Sequence, residues 1–126
     1  MEIDTQALTT CEVAADGAAV SLGFLDSRGE PATIRLSLNQ LGALAMTLPK
    51  LIDKALQARF GDASLRYAYP LASWVVEPSS DPAQGMVTLH TVDGFSVCFS
   101  IPRRQQSELG EALLAEPATK AKCLAN

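Results

Sequence analysis

The sequence predicts an α+β fold of two pseudo-symmetric βββα units, forming a mostly antiparallel sheet of about six strands with two helices packed on one face. Three observations carry this. Val20–Phe24 with Ala32–Leu36, and Val87–Thr91 with Phe95–Ile101, are paired stretches of alternating residues, and each pair flanks a short turn ending in glycine, Gly29 or Gly94. The turn glycines lie 65 residues apart, and at that offset Leu22 matches Val87, Phe24 matches Leu89, Ile34 matches Phe99 and Leu36 matches Ile101. Each hairpin then runs into a helical pattern containing Leu-Gly, at Leu41-Gly42 and Leu109-Gly110, and this pair is 68 residues apart. The three extra residues are about one helical turn.

In chain order, the first element is an extended segment from about Ala7 to Ala14, closed by the tight turn Asp16-Gly17. The first hairpin has Ser27-Arg28-Gly29 as its loop. Ser21, Gly23 and Leu25 then face Thr33, Arg35 and Ser37, which leaves the larger apolar side chains on the opposite face. A helix starts at Ser37, with Gln40 three residues on as a capping box, and Gly61 supplies its stop. Its stripe of Leu41, Leu44, Ala45, Leu48, Leu51, Ile52, Ala55 and Leu56 has to pack on the sheet. Pro49 sits inside the stripe, where its ring displaces the Ala45 carbonyl, so a kink or break is expected near Thr47.

The second copy opens with an extended segment from Leu65 to Glu77. Pro70 must break it or hold it at an edge, and the turn that follows, Pro78-Ser79-Ser80-Asp81-Pro82, is looser than the first. A three-residue loop places a left-handed residue last, which suits Val92-Asp93-Gly94. Thr91 then opposes Phe95, Leu89 opposes Val97 and Val87 opposes Phe99, so the apolar side chains share one face. A loop of Asp93-Gly94 alone would slip the register by one and mix the faces. The second helix runs from about Arg103 to Ala115, with Leu109, Ala112 and Leu113 inward, Arg103, Arg104, Glu108 and Glu111 outward, and Pro117 as its end. The expected organisation is one domain, residues 1–117, with repeats at about 5–61 and 64–116, followed by a flexible tail at 118–126.

A chain of 126 residues, 48% hydrophobic and 19% charged, can bury a core and is no disordered segment. Net charge is −4 and the isoelectric point near 4.8, and the basic pairs Arg103-Arg104 and Lys120/Lys122 fall short of the patch that binds phosphate backbones, so no nucleic-acid partner is expected. Met1-Glu2-Ile3-Asp4 has no apolar segment behind it and no run approaches a membrane span, so no signal peptide and no membrane contact are expected. Three scattered cysteines, Cys11, Cys98 and Cys123, suit a reducing cytoplasm, and the alanine-rich, lysine-poor composition fits a bacterial one. The last four residues, Cys123-Leu124-Ala125-Asn126, match a prenylation pattern only formally, since Asn is not a usual final residue, and they read as tail.

Chemistry is sparse. There is one histidine, no CxxC pair and no glycine-rich phosphate loop, and Asp53, Asp62, Asp81 and Asp93 show no calcium-loop spacing, so neither metal nor cofactor is expected. His90 and Cys98 are diagonal neighbours on the polar sheet face, with Ser96 opposite His90. That is a possible thiol and base, but no acidic residue is placed to orient the imidazole and no nucleophile elbow surrounds Ser96. The aromatic concentration is Arg66-Tyr67-Ala68-Tyr69 with Trp74. Tyr67, Tyr69 and Leu71 alternate as one half-buried strand face, and Arg66, Tyr67, Tyr69 and Trp74 form the candidate interaction surface. The expected function is a small acidic cytoplasmic module without enzymatic activity, working through a protein partner or as a homodimer. The alternative is an enzyme or small-ligand binder using His90, Ser96 and Cys98.

Overall fold

A computed structural model describes residues 1–115 and 123–125. The elements are β1 (Thr5–Val13), β2 (Ala19–Asp26), β3 (Pro31–Ser37), α1 (Leu38–Phe60), β4 (Arg66–Ala68), β5 (Leu71–Pro78), β6 (Gln84–Thr91), β7 (Ser96–Pro102), α2 (Arg103–Leu114) and β8 (Cys123–Ala125). This is the expected α+β fold of two βββα units, but the strands are hydrogen-bonded as two antiparallel sheets of three, β1-β2-β3 and β5-β6-β7, rather than as one sheet of six. Each set is complete in its own hairpins, and the 23-residue helix α1 stands between them in the chain. The chain divides into two units, Met1–Ile52 and Asp53–Asn126.

The duplication extends beyond the hairpins. Val20 pairs with Leu36 and Leu22 with Ile34 in the first unit; Gly85 pairs with Ile101 and Val87 with Phe99 in the second, each shifted by 65. The leading strands obey the same shift, with Val13 opposite Val20 and Pro78 opposite Gly85. Gly29 and Gly94 both take left-handed backbone, φ 79° and 91°, as the three-residue loop requires. At both loops a side-chain oxygen from the residue before the turn accepts the amide of the residue after it: Asp26 Oδ1 from Glu30, at 2.9 Å, and Thr91 Oγ1 from Phe95, at 3.1 Å. Asp16 and Asp81 likewise each accept the amide two residues on, from Ala18 at 3.0 Å and Ala83 at 2.9 Å. The turn read as looser therefore has the length and the aspartate bond of its counterpart.

Both helices begin on the same offset too, at Leu38 and Arg103. The capping box is present: the Ser37 amide donates to Gln40 Oε1 at 3.0 Å and the Gln40 amide to Ser37 Oγ at 3.2 Å. Gly61, at φ 64°, closes α1 as expected. Pro49 does not break the helix, which runs unbroken from Leu38 to Phe60, while Thr47 Oγ1 donates back to the Ala43 carbonyl at 2.8 Å. Pro70 does separate β4 from β5. Of the segment expected as a tail, Cys123–Ala125 pair in parallel with β4, and the remaining positions lie outside the described residues.

Packing differs from the sequence expectation. In the first unit α1 lies against none of the three strands and none of its residues is buried, so Leu48, Leu51 and Ile52 of the expected inward stripe are exposed. In the second unit α2 meets β6 and β7, yet Leu109 and Leu113 stay exposed. The contact is made by the first turn: Arg103 donates its amide to Ala83 and its Nε to Pro82, both at 3.0 Å, and Gln106 sits over Gly85, where no side chain intervenes. Ala19 is the one buried apolar side chain among the described residues.

Candidate interaction face of the second sheet

The β5-β6-β7 register sorts the second sheet into two unlike faces. Trp74 stands opposite Leu89 and Val76 opposite Val87; Leu89 in turn opposes Val97 and Val87 opposes Phe99. With the two-residue period of a strand, these side chains share one face, and it is open to solvent: Trp74 is 64% exposed, Val76 68% and Phe99 49%. At the turn end, Tyr69, Leu71, Phe95 and Val97 help to line a shallow depression of about 280 Å³. A second hollow, of about 340 Å³, lies beside it between Tyr69, Pro70 and the Val92-Asp93 loop.

The aromatic segment is anchored at this end. Tyr67 and Tyr69 meet edge to face at 4.7 Å, and Tyr69 stacks on Phe95 at 4.9 Å. The Tyr67 amide donates to Asp53 Oδ1 at 2.8 Å and Gln57 Nε2 donates to the Leu65 carbonyl at 2.9 Å, so the last turns of α1 hold the start of β4. Tyr67, Tyr69 and Leu71 are thus not one continuous strand, because β4 ends at Ala68 and β5 begins at Leu71. Tyr69 joins the apolar depression and Trp74 continues the same face, whereas Arg66 is exposed on β4. Sequence reading missed Phe95 and Asp53 as partners of the tyrosines. The signal for Asp53 was there: it is the acidic residue set between Ile52 and Ala55 in an otherwise apolar stripe.

The opposite face carries the second candidate set. His90 pairs with Ser96 on one side and Ser73 on the other, and Cys98 lies opposite Thr88, so the inferred diagonal placement of His90 and Cys98 is present. His90 is half-buried and Ser96 and Cys98 are exposed. Glu77, the acidic residue of β5, pairs with Met86 at the far end of the sheet, out of line with His90. Among the described residues no three His, Cys, Asp or Glu side chains gather to hold a metal ion. Cys11, Cys98 and Cys123 are all free thiols. Among the described residues no helix is long and apolar enough to cross a membrane. No protein-family model, curated protein or solved structure matches the chain.

Proposed function

We propose that the chain is a non-enzymatic protein-binding module of a reducing, cytoplasmic compartment, and that the Trp74 face of the β5-β6-β7 sheet receives its partner. The observation that supports this is the open apolar face: Leu71, Trp74, Val76, Leu89, Val97 and Phe99 lie together, uncovered, with no charged residue among them. A contiguous exposed apolar patch of this kind is characteristic of an interaction site. Aromatic anchors suit it, since Trp and Tyr contribute most where an interface is dry at its centre. Three free cysteines fit a reducing compartment.

The tagged full-length chain, recovered under native conditions and weighed intact, tests this. Wild type is expected to carry a stoichiometric protein chain, and Trp74→Asp and Phe99→Asp are expected to lose it while Ser96→Asp, on the opposite face, keeps it. Recovery of wild type as a bare 13.4 kDa chain, or with a bound chain that Trp74→Asp and Phe99→Asp both keep, would overturn the reading. Loss of the partner in Ser96→Asp alone would move the site to the His90 face.

A further inference from the structure

The first sheet is uncovered as well. By register Leu8, Val13, Leu22, Phe24, Ile34 and Leu36 share one face of β1-β2-β3, again with no charged residue among them. The helix that follows is the natural cover for such a face, but it leaves the sheet without a loop: β3 ends at Ser37 and α1 begins at Leu38, where strand-to-helix connections commonly use ~2–6 residues. The Ser37–Gln40 capping box fixes that step. In the second unit an equally direct step still brings α2 onto β6, because Gly85 leaves room for Gln106. Val20 stands at the matching position of the first sheet and fills that room with its side chain. The tilt α2 adopts is therefore closed to α1, which lies on none of its own unit's strands.

Nor is this part of α1 built to face water. From Leu38 to Pro49 it contains no charged residue, and Met46 is 78% exposed. A helix stretch that is apolar or uncharged all round is normally a covered one. A lipid surface would ask for lysine or arginine along the polar side, and Leu38–Pro49 has neither.

We infer that α1 of one chain lies across the β1-β2-β3 face of a second copy, whose own α1 lies across the first in return. A hinge too short to fold an element back on itself favours exchange of that element, and two-fold symmetry then covers both faces with the same pair of surfaces. Leu8 and Val13 on the sheet, 61% and 71% exposed, and Met46 and Leu51 on the helix, 78% and 50% exposed, are the side chains that such an exchange covers. The surface is not the Trp74 face, so the exchange stands or falls apart from the binding proposed there.

Cys11 makes the test direct, because it pairs with Leu22 and lies on the face in question. In full-length chains carrying Cys98→Ser and Cys123→Ser, the helix stripe is sampled by Leu41→Cys, Leu44→Cys and Leu48→Cys in turn, each oxidised with diamide, which takes up the two electrons and two protons released as the disulfide forms. The exchange predicts that at least one variant yields a disulfide between Cys11 and the helix at twice the 13.4 kDa chain mass in denaturant. A cross-linked product only at single-chain mass, or none from all three, overturns it. Should these variants fail to fold, the wild type serves: Cys11 should label with iodoacetamide ~10-fold or more slower than Cys98, since a covered thiol reacts through local opening, and Leu48→Glu should bring the two rates together. Equal rates in wild type overturn the exchange. Trp74→Asp reports separately on the second sheet: a Cys11 still protected in this variant leaves the exchange intact whatever becomes of the partner proposed there, and a Cys11 exposed by Trp74→Asp overturns the separation of the two surfaces.

Discussion

Gly94 and Gly29 hold the two hairpins in register, and their left-handed backbone is where a side chain is least tolerated. Gly94→Ala and Gly29→Ala should each lower stability by about 1 kcal/mol, seen as a shifted urea midpoint with unchanged slope at fixed chain concentration. Asp16→Ala and Asp81→Ala each remove one turn bond and should cost similar amounts, about 0.5–1 kcal/mol. A large cost at one and none at the other would deny their equivalence. The glycines were legible in the sequence because only a narrow set of residues adopts that conformation. The oxygen acceptors beside them were not: Asp26 and Thr91 do the same job with different side chains, and the Asp16–Asp81 match is hidden by unlike neighbours. On the polar face, His90 pairs with Ser96 and Cys98 with Thr88, a diagonal placement, and His90→Ala should leave the rate of Cys98 alkylation unchanged.

Strand pairing was legible where helix packing was not. Alternation fixes which strand residues share a face, and it placed Leu89 opposite Val97 and Val87 opposite Phe99 correctly. The helix stripe carries no such information about its target: Leu44 and Leu48 declare that they want cover, not which sheet supplies it. Val20 against Gly85 is one side chain present or absent at a matched position, and nothing local to the helix records it. The caps differ in the same way. Ser37→Ala should cost about 1 kcal/mol by losing the box, whereas Pro102, in the matching place, offers no side-chain bond, and Pro102→Ala should cost far less. Pro49→Ala restores an amide donor to the Ala45 carbonyl inside an unbroken helix, and should raise stability by up to about 3 kcal/mol, measured by thermal melting followed with far-UV circular dichroism. A drop instead would show that the proline shapes a contact the isolated helix does not display.

Two sheets, each with one apolar face, and an uncharged stretch of helix are more apolar surface than a lone chain of this composition should leave to water. The sequence shows that such surface exists, because the amphipathic patterns are strong; whether it is covered within the chain or by another depends on how the helices leave the strands, which is a property of tertiary geometry. The claim that joins these observations is that one copy of the chain is incomplete, and sedimentation velocity of the full-length protein across the micromolar range tests it most directly. The account predicts a principal species of twice the 13.4 kDa chain mass, its share falling only on deep dilution. A single 13.4 kDa species at every concentration would contradict it.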